Sequence, residues 1–413
     1  MSEIINTPIA LDSTGQEIVT RMKEQNALLS LLAEEKRGNI YSDISTIAYM
    51  VRSHTLDELA DLFPIGDQII MPWKDMDDSA HNTDDTAYQV AWNFVDHRMV
   101  TLKDGSSVPG LVIQMHKCSA YGVQFSHQQA FYMATAALPA GTYYITLGTT
   151  WGKATAGSYQ FTLTKEVPAG GLLSGLEYMA DYAPSSWQVK SWATADAASP
   201  IETVSVTEGN DGTSLGTMNP TTLGDTGLNC MQRVGYGHNR YSTSAIRQYL
   251  NATGTDWWKS QEDFDIRPNE YAKNGFMTGF NDDFLSAIKP VKVTTALNTV
   301  EGYSNVTEDT YDTFFLPSLE EMNSNPQLSG VEGSYFPYWR SRLGVDKLVG
   351  WYSANTYDGY KIPAINSNSA QYVRLRSANR DYFYNAWSVN TGGYINGDSA
   401  YGAYRFSPVC VIC

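Results

Sequence analysis

The chain has 413 residues, 42% hydrophobic and 12% aromatic, a length that favours two or three domains over a single core. Its 44 acidic and 28 basic residues give a formal charge of -16, which argues against nucleic acid or an anionic membrane as the main partner, since both need basic patches. Charged residues at only 17%, with 33 Gly, point to a β-rich, loop-rich architecture.

The N-terminal "MSEIINTPIALDSTG" lacks a charged-then-apolar signal pattern, and no long apolar run suggests membrane insertion. A helix is expected over 13–37, opened by a Thr14/Glu17 capping box and stopped at Gly38. Ile18, Met22, Gln25, Leu29 and Leu32 recur at spacings of four and three, a seam that fits either packing on its own domain or self-association. A second helix should start at Thr55, boxed by Glu58, and end before Pro64. Residues 1–65 thus read as a helical oligomerisation or attachment segment.

From 66 to 167 the periodicity becomes alternating, with "QVAWNFVDH", "GLVIQMHKC", "GTYYITLG" and "GSYQFTLTKEV" as strands of an expected β-sandwich domain. Residues 168–225 are rich in Gly, Ser, Thr and Ala, with one strand at "IETVSVTEG", and read as a connecting segment. Beyond 226, "YSTSAIRQYLNATG" is a short helix burying Ile246, Tyr249 and Leu250. "NDDFLSAIKP" is another, capped by Asn281, and "FFLPSLEEMNS" is a third.

Motifs for chemistry are sparse. The acidic stretch 75–85 with His81 lacks the glycine turn and distal Glu of a calcium loop, and reads as a solvated loop. The histidines show no metal-ligand spacing, and no nucleophile elbow, phosphate loop or dinucleotide fingerprint occurs. Cys118, Cys230, Cys410 and Cys413 make no disulfide framework, which suits synthesis in a reducing cytoplasm. Cys410 and Cys413 form a C-x-x-C, but "SPVCVIC" reads as a final apolar strand. No catalytic residue, metal or cofactor is expected.

The tail is the most informative segment. From Arg376 to Cys413 it contains no Lys, Glu, His or Met and is crowded with Tyr, Asn, Ser, Gly and Asp. Val373, Leu375, Ala386, Trp387, Val389, Ile395, Phe406, Val409 and Val411 can form a β-scaffold beneath them. This resembles the variable region of a target protein of a diversity-generating retroelement, in which adenine-directed reverse transcription rewrites Asn-type codons. Such rewriting yields Asn, Ser, Tyr, Asp, Gly, Arg, Phe, Ala and others, but not Lys, Glu, Gln, Met or Trp. "GHNRYSTSAIRQYLN", "DWW", "NGFMTGF", "FFLPSLEEM" and "YVRLRSANR" are similar to landmarks of lectin-fold domains of gut bacteria and their phages.

The resemblance implies an α+β chain: an N-terminal helical segment, a β-sandwich middle domain, and a C-type-lectin-type (formylglycine-generating-enzyme-like) domain over 226–413, variable over about 371–413. It implies a ligand-binding display protein, not an enzyme, made in the bacterial cytoplasm and carried on the phage virion surface. Expected partners are a host-cell surface protein or glycan, other phage structural proteins, and further copies of itself in a homotrimer. The ligand-binding residues it implies are Ser377, Asn379, Arg380, Asp381, Tyr382, Tyr384, Asn385, Asn390, Tyr394, Asn396, Asp398, Ser399, Tyr401 and Tyr404. The alternatives are an enzyme on the same fold, formylglycine-generating or glycan-acting, and a bacterial surface adhesin. The triplets of calcium-dependent sugar-binding lectins are absent, and the terminal C-x-x-C does not match the wider cysteine spacing of formylglycine-generating enzymes. Tyr offers rigid contact area at low entropic cost while Ser, Asn and Gly adapt hydrogen bonds, so the palette suits binding.

If the Ile18–Leu32 seam drives assembly, light scattering should show the full chain as an oligomer and a chain starting near residue 66 as a monomer. A monomeric full-length chain at micromolar concentration would remove the seam's role.

Overall fold

The computed structural model describes residues 39–127, 129–148, 155–176, 201–218, 231–236, 238–259, 261, 267–299, 305–351, 358–382 and 384–413. The helix expected over 13–37, its seam and Cys230 lie outside these residues.

Alternation builds the first sheet. β1 (Ile40–Tyr41) lies parallel to β2 (Gln68–Trp73), which turns Ile69, Met71 and Trp73 fully inward. β3 (Tyr88–Thr101) and β4 (Ser107–Met115) follow as antiparallel neighbours. The far edge of β4 is taken by the chain's last strand, β20 (Val409–Ile412), with Cys410 opposite Ile113 and Val411 opposite Val112. All four residues of β20 are buried, the pattern of a strand covered on both faces. "SPVCVIC" is therefore the closing strand that its apolar run predicts.

Two helices cover this sheet. α1 (Ile44–Ser53) is capped by Asp43, whose Oδ1 accepts the Thr46 N–H at 3.0 Å, and it buries Ile44, Ile47, Met50 and Val51. Arg52 Nε donates to the Cys413 carbonyl at 3.1 Å, tying α1 to the end of β20. α2 (Leu56–Leu62) carries the expected Thr55/Glu58 capping box and stops ahead of Pro64.

One hydrophobic core runs through α1, β2–β4 and residues 241–413. Its aromatic centre joins the two halves of the chain: Trp92 of β3 sits 5.5 Å from Phe284 and 5.8 Å from Phe314. A second core, around Tyr132, Ile145, Phe161, Leu163, Leu173 and Leu215, is separate. It lies between two four-stranded sheets formed by β6 (Gln129–Ala134), β7 (Gly141–Leu147), β8 (Gly157–Leu163), β9 (Leu172–Ser174), β10 (Glu202–Thr203), β11 (Thr207–Glu208), β12 (Thr213–Met218) and β13 (Met231–Tyr236). The sheet orders are β10-β9-β6-β13 and β11-β8-β7-β12. β6 and β13 pair antiparallel, Gln129 opposite Tyr236, so this unit enters and leaves through one ribbon.

The cores redraw the expected boundaries. Strands β2–β4 were expected in one sandwich with β7 and β8, but they share a sheet with β20. The segment 168–225 was expected as a connection, yet it supplies β9–β12. The strand expected at "IETVSVTEG" is two, β10 and β11, which join different sheets on either side of buried Val204. Period-two patterning identifies strands but not their partners, and an insertion leaves no local mark on it.

In the second half, α3 (Ala245–Leu250) buries Ile246, Tyr249 and Leu250 as expected, with Ser244 as cap. α4 (Asp282–Ala287) starts at the Asn281 cap. "FFLPSLEEMNS" is not a helix but a series of turns. Ser318 N–H donates to Glu321 Oε2 and Glu321 N–H to Ser318 Oγ, and Asn323 adopts φ 59°. The local side-chain bonds replace the helical ladder there.

Candidate ligand-binding face

The tail folds into a three-stranded antiparallel sheet of β16 (Val373–Ala378), β17 (Asn385–Val389) and β18 (Ile395–Ser399). β19 (Ala403–Tyr404) then pairs with β5 (Val123–Gln124). All nine apolar tail positions singled out above are buried, so the expected scaffold is in place. Trp387 packs against Trp351 with centroids 4.6 Å apart and ring planes tilted by 32°.

The loops between these strands are held through their backbones. Between β16 and β17, the Asn239 amide Nδ2 donates to the carbonyl oxygens of Asn379, Tyr382 and Asn385 at 2.9, 2.7 and 2.6 Å. Asn298 Nδ2 donates to Asn239 Oδ1 at 2.8 Å and fixes that amide's orientation. Gln327 Oε1 accepts the Arg380 N–H at 2.8 Å and Trp387 Nε1 at 3.2 Å. After β18, the fully buried Arg374 guanidinium donates to the carbonyls of Ala386, Asp398, Ser399 and Gly402 and lies 4.4 Å from the Tyr404 ring centroid. Burial pushes Arg374 down to about 10, still protonated at neutral pH. Burial likewise raises the Tyr404 hydroxyl, helped by Asp398, and keeps it neutral.

The two loops meet where Ala400 N–H donates to Tyr384 O at 2.7 Å. Both ends of the inserted β-unit reach the same place. Phe125 and Ser126 N–H donate to Ala400 O, Gln124 Nε2 donates to Tyr401 O, and Asn239 follows the insert's last strand.

The structure divides the expected binding residues. Asp381, Tyr382, Ser399 and Tyr401 are exposed, Tyr382 at 37% and Tyr401 at 46%. Tyr382 and Tyr384 meet edge-on at 5.8 Å, and His127 meets Tyr401 at 5.3 Å. Arg380, Tyr384, Asn385, Asn390, Tyr394, Asn396, Asp398 and Tyr404 are half-buried. Of these, Arg380 sends Nη1 to Leu297 O, and Asn390 Oδ1 accepts the N–H groups of Gly392 and Tyr394, building the β17–β18 turn. Asp398 is bonded by Ser388 Oγ and Asn396 Nδ2.

Ser377 and Asn379 are corrections, because both are buried. Asn379 Oδ1 caps the Asp381 N–H at 3.2 Å. Ser377 Oγ donates to Glu332 Oε2 at 2.6 Å and accepts the Leu319 N–H at 3.0 Å. It belongs to an ionic base under the loops in which Arg376 bonds Glu321 and the Leu316 and Glu332 carbonyls. Burial opposes the Arg376 charge, and Glu321 and Glu332 more than restore it, holding the guanidinium above its ordinary value. Burial raises the Glu332 carboxyl, with Arg376 and Ser377 pulling the other way.

Chemistry at the three described cysteines finds no support. Burial raises Cys118 to about 12 and Cys410 and Cys413 above their ordinary range, leaving neutral thiols. In the acidic stretch, Asp77 accepts from Asn274 and His81 stacks on Tyr88 at 3.9 Å. Among the described residues no group of three or more His, Cys, Asp or Glu is placed to hold a metal ion. No helix among them is long and apolar enough to cross a membrane.

Residues 225–412 match DUF6273, a domain of unknown function. No curated protein and no solved structure matches the chain. The DUF6273 stretch contains both loops, Asn239, Gln327 and β20, but not β2–β4, which complete the sheet that β20 closes.

The anchors Asn239, Gln327 and Arg374 were not anticipated. Asn239 lies inside "GHNRYSTSAIRQYLN", but a single Asn has no spacing to mark it. The burial difference makes a clear prediction. Ser377→Ala, which leaves Glu332 and the Leu319 N–H short of a partner, should cost about 1–3 kcal/mol. Tyr401→Ala should cost about 0.5 kcal/mol or less. Denaturant melts of both variants check this, and equal costs would contradict the division.

Proposed function

We propose that the chain is a ligand-binding display protein whose C-terminal loops form the recognition face. One observation carries the reading: Asp381, Tyr382 and Tyr401 are exposed on loops, and Ser399 at the end of β18, where the inward carbonyls are held by buried Asn239 and Arg374. Side chains on such loops hold no core, so they can be exchanged while the fold persists. Exposed tyrosines on fixed backbone are suited to contact a partner at low entropic cost.

On this reading residues 226–413, together with α1 and β2–β4 that share their core, form a C-type-lectin-type domain, diversified by a retroelement over about 371–413. The antiparallel pairing of β20 with β4 is the kind of closing strand that this assignment expects. The protein would then be a phage receptor-binding or virion surface protein, trimeric, facing a host-cell surface protein or glycan. A near-copy of the tail's coding sequence, differing at adenines and lying beside a reverse-transcriptase gene, would mark the retroelement. The neutral thiols at Cys118, Cys410 and Cys413 weigh against thiol chemistry at those three residues, and so against that form of the formylglycine-generating alternative.

Two variants separate binding from catalysis. Replacing Asp381, Tyr382, Tyr384 and Tyr401 together by Ala should leave thermal melting nearly unchanged, while binding to host cells collapses, because aromatic anchors commonly carry about 2 kcal/mol or more each. Cys410→Ser should lower the melting temperature, since it puts a hydroxyl into a packed strand, and spare binding. Lost binding in the cysteine variant at unchanged melting temperature would overturn the reading.

A further inference from the structure

We infer that Asn239, outside the tail, is the positioning residue that fixes the β16–β17 loop backbone at Asn379, Tyr382 and Asn385, so that Asp381, Tyr382 and Tyr384 set which ligand is bound. The assignment of those three side chains to a ligand rests on the binding reading; the clamp itself does not.

The geometry is unusual in its economy of donors. One amide nitrogen carries two hydrogens, yet three carbonyl oxygens converge on Asn239 Nδ2 within 2.9 Å, so at least one hydrogen is shared. The same carbonyls also close the loop on itself. Asn379 N–H donates to Asn385 O at 2.9 Å, Tyr382 N–H to Asn379 O at 3.3 Å, and Asn385 N–H to Tyr382 O at 3.5 Å. The last two bonds are long, so the loop's own ladder is weak, and the Asn239 bonds are the shorter set. Asn239 is wholly buried, where an unmet carbonyl is costly, and Asn298 Nδ2 holds its Oδ1 so that Nδ2 must face the loop.

A second row from the same side reinforces the clamp. Arg380 Nη1 donates to Leu297 O at 2.7 Å, and Thr299 N–H donates to Arg380 O at 2.9 Å. None of these bonds to Asn239, Leu297 or Thr299 involves the side chain of Asp381, Tyr382 or Tyr384. Asp381 does accept from Gln327 Nε2, at 3.2 Å, on the same amide whose Oε1 accepts the Arg380 N–H, but Trp387 Nε1 also holds that Oε1 without Asp381. The carbonyls of Asn379, Arg380, Tyr382 and Asn385 are thus all bonded from outside the loop, and none of these bonds uses the side chain of Asp381, Tyr382 or Tyr384.

Asn239→Asp tests the donor role, because it keeps the volume and the oxygen facing Asn298 but turns toward three carbonyls an oxygen with at most one hydrogen, where the amide has two. Asn239→Ala removes the same donor together with the side chain's packing. The readout is hydrogen exchange, by mass spectrometry, of the amides of Asn379, Tyr382 and Asn385, with Cys410–Ile412 as internal reference. Both variants should exchange roughly tenfold or more faster in the loop, with the reference strand unchanged. A third variant, with Asp381, Tyr382 and Tyr384 all changed to Ser and Asn239 kept, should retain wild-type protection. Unchanged loop exchange in Asn239→Asp, equal acceleration in the reference strand, or lost protection in the triple-Ser variant would each overturn the clamp. Failure of the binding reading would appear instead as host-cell binding unaffected by the loss of the loop side chains.

Discussion

A loop that turns its carbonyl oxygens inward must find donors for them, and in this fold side chains outside the loops add donors to the loops' own N–H groups. Asn239 supplies one loop and Arg374 the other. A buried acceptor left unpaired costs more than an ordinary hydrogen bond contributes, so these two residues constrain the backbone more strongly than any contact among exposed side chains. Everything else about the face follows. The loop backbones are set, the apolar residues of β16–β18 pack beneath, and Asp381, Tyr382 and Tyr401 remain at the surface.

The donors themselves need a stable base. Arg376, Glu321, Glu332 and Ser377 form a buried, fully engaged network directly under β16. Removing one member would strand a charge in the interior, which is far more disruptive than never burying the pair. Beneath that, β20 closes the sheet with β4, and Arg52 of α1 bonds the last carbonyl of the chain. The inserted β-unit leaves this core through a ribbon whose base adjoins both loops.

Much of the scaffold was legible in the sequence. Thr55 and Asn281 mark helix starts through local hydrogen bonds, and the apolar tail residues mark strands through alternation, both of which need only near neighbours. The pairing of β20 with β4 and the insertion of β6–β13 were not legible, because both depend on contacts across hundreds of residues. Among the expected site residues, residue type alone could not separate Tyr382, exposed, from Ser377 and Asn379, buried. A Ser or Asn serves equally as a ligand contact or as an internal cap, and only its neighbours decide. Asn239 was invisible for the same reason.

The central claim is that the loop backbones keep their course whatever side chains they display. A crystal structure of the chain with Asp381, Tyr382, Tyr384, Asn396 and Tyr401 all exchanged for Ser tests it most directly. The account predicts loop backbones that superpose on the present ones within about 1 Å, with Asn239 and Arg374 still bonded to the same carbonyls. Rearranged loops above an unchanged β16–β18 sheet would contradict it.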